Sequence, residues 1–263
     1  MKILDAVAAI LKKEGVEWAA CFPSNNLIEA VAEAGINPVM FRQERGAAMA
    51  ADGFSRMKNR EEFGVLITQH GPGAENTGGG LAQAYGDNIP ILYLPGGPAV
   101  GMRSVKPNFS PARSYASISV SAEVLFQPEQ VVSVMRRAFH ALRNGRPGPV
   151  IVEIPVDIGT MEVDDSLVDS YVPPKKYSFS PNSDEVKQAI DTLLSAKKPV
   201  IWSGMGVLMA DATAELTEFA ELTNIPVYCT MPGKSGFDQR HPLSLGSGSG
   251  ATSLEARTWL QES

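Results

Sequence analysis

Apolar runs that alternate with amphipathic stretches predict an α/β protein: a doubly wound, mostly parallel sheet over residues 1–160, a linker over 161–182, and an incomplete Rossmann-like α/β unit over 183–263. Three observations carry that prediction. The runs Val65-Leu66-Ile67, Ile89 to Leu94 and Pro149 to Ile154 are apolar without alternation, as strands covered on both faces require. Helical periodicity fills the intervals between strands, and Gly-, Pro- or Asn-rich turns mark the junctions.

The elements follow in order. Ile3, Leu4, Val7, Ile10 and Leu11 recur at helical spacing, so Lys2 to Glu14 is a helix that stops at Gly15. That pattern, with Asp5 early, is not a signal peptide. Glu17 to Phe22 is a strand, and Pro23-Ser24-Asn25-Asn26 turns into a helix ending at Gly35. Pro38 to Phe41 is the next strand, followed by an alanine-rich helix from about Arg45 to Met57. Phe63 to Gln69 is a buried strand, and His70-Gly71-Pro72-Gly73 opens a further helix. After the strand ending at Leu94, a Gly/Pro/Ser-rich stretch runs from Gly96 to Ser119, then a helix from Glu129 to Arg143 and the last strand. Pro173-Pro174 and Lys175-Lys176 lie in the linker. The second unit reads helix Asp184 to Ala196, strand Pro199 to Trp202, helix Ala212 to Leu222 and strand Ile225 to Cys229. A polar loop through His241 and Gly246 to Gly250 then leads to a last helix. Two strands cannot close a doubly wound domain, so this unit is expected to be cut off partway.

Composition narrows the function classes. Hydrophobic residues make up 44% of the 263 and charged residues 20%, so the chain can build a sizeable core without staples. Net charge is -6 and basic residues occur only in short pairs, so neither nucleic acid nor an anionic membrane is an expected partner. Cys21 and Cys229 sit in apolar strand-like runs as small hydrophobes, which suits a reducing cytoplasm.

The densest constellation is Arg42-Gln43-Glu44-Arg45-Gly46-Ala47. Glu44 stands where an apolar strand meets a helix of small residues, so its carboxyl is expected to be partly desolvated and able to share a proton with a ligand nitrogen. An acidic first-turn residue that only complements the helix dipole is the alternative. Gly71-Pro72-Gly73-Ala74-Glu75-Asn76 is neither a dinucleotide fingerprint nor a Walker loop, yet it permits close approach of a flat ligand to backbone. With the Pro23 to Asn26 turn, these junctions could converge on one ligand edge at the carboxyl ends of the strands.

Taken together, Phe22-Pro23, Arg42 to Ala47, Gly71 to Asn76, Ala84-Tyr85-Gly86-Asp87-Asn88-Ile89-Pro90 and Gly145-Arg146-Pro147-Gly148-Pro149-Val150 resemble the thiamine diphosphate-dependent enzymes. The specific group is that of acetolactate synthase, pyruvate oxidase and benzoylformate decarboxylase. Residues 1–160 look like its pyrimidine-binding domain. Those from about 184, through Lys198-Pro199-Val200-Ile201, Ile225-Pro226-Val227 and His241-Pro242-Leu243, look like the start of its central domain. The resemblance implies a decarboxylase or carboligase acting on a small 2-oxo acid, with Glu44 catalytic. Pro23, Asn25, Glu44, Gly71, Pro72, Gly73 and Asn76 would bind the cofactor, Phe109 would face the substrate, and His70 would be a candidate proton carrier. In the family such a glutamate, bonded to a pyrimidine nitrogen, favours the tautomer that loosens the C2 proton, and the thiazolium is an electron sink for decarboxylation.

The resemblance further implies a second copy of the chain, as a homodimer or dimer of dimers. Mg²⁺ and diphosphate would be held by a GDG motif and a following Asn, which this sequence lacks; FAD would be possible at Ser203-Gly204-Met205-Gly206. Self-association is expected through the Ala47 to Ala51 face. Ser24-Asn25 replaces the usual Gly-Gly of acetolactate synthases, Ser110 replaces the Gln after Phe109, and no Lys stands near Ala122, so the substrate is not fixed. The alternatives are a non-catalytic binding or assembly module without a diphosphate domain and a simple nucleotide-binding α/β protein.

Overall fold

A computed structural model of the chain describes residues 1–248 and 252–263; Ser249 and Gly250 of the glycine-serine run lie outside the described residues. The chain forms two compact units, Met1–Tyr177 and Ser178–Ser263.

In the first unit the order is α1 (Ile3–Lys13), β1 (Trp18–Cys21), α2 (Leu27–Glu33), β2 (Asn37–Met40), α3 (Glu44–Met57), β3 (Gly64–Thr68), α4 (Pro72–Glu75), α5 (Gly78–Gly86) and β4 (Ile91–Gly97). Then come α6 (Pro111–Ser114), β5 (Ser121–Val124), α7 (Val131–Arg143), β6 (Pro149–Pro155), α8 (Val156–Gly159) and α9 (Asp165–Asp169). The six strands pair in parallel in the order β2-β1-β3-β4-β6-β5. The chain leaves β1 toward β2 and returns to β1's other side as β3, so the strand order reverses between β1 and β3. In an open α/β sheet that reversal opens a crevice at the carboxyl ends.

Each apolar strand serves two layers, because neighbouring side chains point to opposite faces. Val65, Ile67, Leu92, Leu94, Val150 and Val152 join α1, α2 and α7 in one core. Leu66, Ile91, Tyr93 and Ile151 join α3 and α5 in the other. The alanines of α3 belong to that second core: Ala47, Ala48 and Ala51 are fully buried. A side chain at Gly80 would meet the Ala48 methyl at 2.7 Å. The expected contact face of Ala47 to Ala51 is thereby corrected, since its small residues let α3 press on the chain's own sheet and α5, and of the five only Met49 is exposed.

Other differences from the sequence reading are local. The Gly96 to Ser119 stretch holds α6, and β5 follows it as a half-buried edge strand. The linker expected over 161–182 begins with structure: α9 lies in it, and Val163, Val168 and Tyr171 are buried in the core that includes α1. Single-turn helices are too short to show periodicity, although Asp164 accepts from the Ser166 amide at 2.9 Å as a proper cap.

The second unit runs α10 (Ser183–Ser195), β7 (Ile201–Ser203), α11 (Gly206–Met209), α12 (Thr213–Thr223), β8 (Val227–Thr230), β9 (Ser244–Gly248) and α13 (Leu254–Glu262). Its sheet is parallel with order β7-β8-β9, so three strands stand where two were expected; Gly246 to Gly248 is strand rather than loop. Ala220, Val227, Cys229 and Phe237 form its small core, whereas α10 buries no residue.

Candidate active site

Glu44 is the first residue of α3 and is only 7% exposed. Its carboxyl does not turn back to cap its own helix. Instead Oε2 accepts from the Asn76 side-chain amide at 2.7 Å, across from the junction of α4 and α5. The other oxygen, Oε1, lies beside Gly73, where a Cβ would come within 3.0 Å of it and 3.3 Å of Gln69 Cδ. Gly73 is buried and the Gln69 Cγ lies closer still to that position, so only glycine fits between the Gln69 side chain and the Glu44 carboxyl. Gly71 turns the chain from β3 into α4 with φ of +62°, which an L side chain would resist.

Asn25 closes the crevice from the β1 side. Its amide nitrogen donates to the Thr68 carbonyl at 2.8 Å, and its carbonyl oxygen accepts from Leu27 N at 3.0 Å, starting α2. Pro23 and Pro72 are exposed on the neighbouring turns. His70 is exposed one residue after Gln69 and makes no hydrogen bond to Glu44; its backbone nitrogen approaches Gly96. Three junctions, after β1, β2 and β3, thus meet at the sheet's switch point. Phe109 reaches the site indirectly: its ring packs edge-on against Tyr115 at 5.5 Å, and Tyr115 touches α4.

Several supporting residues went unread in the sequence. The Tyr115 hydroxyl donates to the carbonyls of Ala74 and Glu75, each at 2.9 Å. Thr77 Oγ1 donates to Ala74 O at 2.7 Å, and Tyr93, fully buried on β4, shares a 2.8 Å bond with Thr68 Oγ1. Burial pushes both phenols up, so they remain neutral donors. Only their type, polar residues in apolar surroundings, could have signalled them.

Among the described residues no group of three or more His, Cys, Asp or Glu is placed to hold a metal. His140 bonds with Asn144 and His241 with Glu221, both remote from Glu44 in sequence and both locally satisfied. At Ser203 to Gly206, the backbone lies so close to Gly233 that a Cβ there would meet Gly204 C at 2.7 Å.

An open parallel sheet with a buried, half-satisfied carboxyl at a glycine-lined switch point defines a coenzyme-binding domain of the α/β class. Comparison with known proteins gives the kind of coenzyme. Residues 1–118 match the family described as thiamine pyrophosphate enzyme, N-terminal TPP binding domain, and residues 186–263 match thiamine pyrophosphate enzyme, central domain. Acetolactate synthase of Arthrospira platensis is 34% identical over 93% of this chain and 44% of its own length. A probable acetolactate synthase large subunit of Methanocaldococcus jannaschii is 31% identical over 94% and 43%, and glyoxylate carboligase of Escherichia coli 33% over 94% and 42%. The chain belongs to the thiamine pyrophosphate enzyme family, and it spans less than half the length of these relatives.

The residues present fit the pyrimidine half of that cofactor. The Glu44 carboxyl, 7% exposed, has one oxygen engaged by Asn76 and the other, beside Gly73, without a hydrogen bond among the described residues, the arrangement a ring nitrogen that shares a proton would need.

Proposed function

We propose that the chain is the N-terminal portion of a thiamine diphosphate-dependent decarboxylase or carboligase acting on a small 2-oxo acid. The single observation behind this reading is Glu44: 7% exposed, one oxygen held by Asn76, the other beside Gly73 and bonded to no described residue. When bound, thiamine diphosphate supplies an acidic carbon and an electron sink for breaking or making a bond next to a 2-oxo acid's carbonyl. Glu44 Oε1 would share a proton with a pyrimidine ring nitrogen, in surroundings dry enough to strengthen that bond. Asn76 fixes the carboxyl's plane by donating to Oε2. Gly71 and Pro72, on the turn after β3, and Asn25, locked to Thr68, would help hold the pyrimidine beside Glu44. Phe109 would wall the substrate side through Tyr115, and His70, exposed on the turn, would carry protons.

The diphosphate and Mg²⁺ would be held by residues other than these 263. A second copy of the chain would complete the site, as a homodimer or dimer of dimers, seated on the outward side of α3 where Met49 is exposed. A cytoplasmic enzyme fits the buried free cysteines, and among the described residues no helix is long and apolar enough to cross a membrane. FAD on the second unit is a separate occupant tested alongside.

Saturation-transfer NMR of the chain with millimolar thiamine diphosphate, Mg²⁺ and, separately, FAD tests the proposal. Saturation should reach the pyrimidine protons, and Glu44→Gln should weaken binding by about tenfold, the worth of one charge-assisted hydrogen bond. No transfer to the pyrimidine in the wild type, or equal transfer in both proteins, would overturn it.

A further inference from the structure

Glu153 has no place in the chemistry above, yet it is a fully buried carboxyl near the carboxyl end of β6, against Gly97 on the neighbouring β4. On its strand it shares the face of Ile151, the α3 and α5 side, where an apolar residue would be ordinary. A buried carboxylate is costly unless partnered, and this one is partnered on both oxygens. Oε2 accepts from Ser110 Oγ at 2.6 Å and from Ala112 N at 3.1 Å, while Oε1 accepts from Arg103 Nε at 3.3 Å. Arg103 also donates to Ser110 Oγ at 2.8 Å, which closes the network. All of these donors come from the long connection after β4, so one carboxylate gathers that connection onto the sheet.

The same connection carries Tyr115, five residues beyond Ser110, and the Tyr115 hydroxyl holds the carbonyls of Ala74 and Glu75. The next residue, Asn76, is the one that grips Glu44. We infer that Glu153 and Tyr115 are positioning residues: Glu153 anchors the 103–115 connection, Tyr115 transmits that anchor to α4, and Asn76 thereby holds Glu44 in the orientation the cofactor nitrogen needs. The catalytic meaning of this strut rests on the proposed role of Glu44, but its mechanics do not. Gly97 supports the assignment, since a Cβ there would lie 2.7 Å from Glu153 Oε1 and would displace the anchor.

The test reads the Asn76 side-chain amide by ¹⁵N NMR in the ligand-free chain, with Glu44→Gln identifying the resonance as the reporter of the Glu44 contact. Tyr115→Phe and Ser110→Ala each remove one hydroxyl and nothing else. Both should stay folded, shift the Asn76 resonance and speed exchange of its hydrogens with water by about three- to tenfold, the worth of one net hydrogen bond. Tyr171→Phe, whose lost hydroxyl bonds Glu14 beside the start of β1, should leave the resonance unmoved. The strut is overturned if either hydroxyl variant melts lower yet leaves Asn76 unchanged, if Tyr171→Phe moves it equally, or if Glu44→Gln fails to move it. No cofactor enters this readout, so failure of the strut and failure of the thiamine diphosphate reading show in different experiments.

Discussion

Gly64→Ala should unseat the helix that carries Glu44. A Cβ built at Gly64 would lie 2.5 Å from Ala51 Cα and 2.7 Å from its carbonyl carbon, and closer still to its oxygen. Ordinary contact begins near 3.4 Å, so relief requires about 1 Å of movement between β3 and α3, and no side chain can swing away because the obstruction is backbone. That movement would open the layer in which Ala47, Ala48 and Ala51 meet Leu66, Leu81 and Ile91. Overpacking of this kind costs about 1–3 kcal/mol, against about 0.5–1 kcal/mol gained by removing glycine's freedom in the unfolded chain. Gly53→Ala is the matched control on the same helix, where a Cβ meets nothing within 4 Å, and it should stabilise by about 0.5–1 kcal/mol. The net for Gly64→Ala is a loss of up to about 2.5 kcal/mol, so urea denaturation of the two variants should give shifts of opposite sign. A Gly64→Ala protein as stable as the wild type would refute the close seating of α3 on β3.

Three further outcomes follow from single residues. Ser55→Ala should cost about 1–3 kcal/mol in a denaturation curve, because its buried hydroxyl accepts from Gly64 N at 2.9 Å and donates toward Pro90 O at 2.6 Å, leaving both backbone groups unpaired. Gly73→Ala should remain folded but lose saturation transfer to the pyrimidine, since its Cβ would crowd Gln69 and the Glu44 carboxyl; undiminished transfer would show that the ring does not lie there. Cys21, pushed up to about 12 by burial, keeps its proton in the folded chain but gives it up above about 9 when unfolded. Its contribution to stability is therefore present below pH 9 and lost as pH rises from 9 toward 12, where the unfolded state binds fewer protons. Cys21→Ala should flatten that part of the stability curve, and rapid labelling of the native thiol at pH 8 would contradict the burial.

What the sequence made legible was whatever a local pattern can encode. β3, β4 and β6 are apolar on both faces and announce themselves, and Glu44 stands out because a carboxyl between an apolar strand and a helix of small residues is a chemical oddity. β5 and β9 escaped notice because Ser121–Val124 is a half-buried edge and Ser244–Gly248 is glycine and serine at four of its five positions, compositions that also describe loops. The alanine face was read outward when it turns inward, since small residues serve close packing within a chain as well as between chains. Tyr115 and Glu153 act through partners 40 to 50 residues away, from Ala74 and Glu75 to Arg103, Ser110 and Ala112, and no spacing rule brings such pairs together. Thr77 bonds locally, to Ala74 one turn back, yet a lone threonine at that spacing is no signal of a site.

The most direct test of the central claim is exchange of the cofactor's C2 proton, followed by quenched NMR. It would compare wild type with Glu44→Gln in the assembled enzyme, with the diphosphate and Mg²⁺ ligands present and the cofactor saturating. Gln keeps the size and the Asn76 contact of Glu44 but cannot share the proton. Exchange should slow by about 10²- to 10⁴-fold, the usual worth of positioned acid-base help, with little change in melting temperature. Unchanged exchange, accompanied by a loss of about 0.5–1 kcal/mol of stability, would instead make Glu44 a helix-terminal charge and contradict its role in the site.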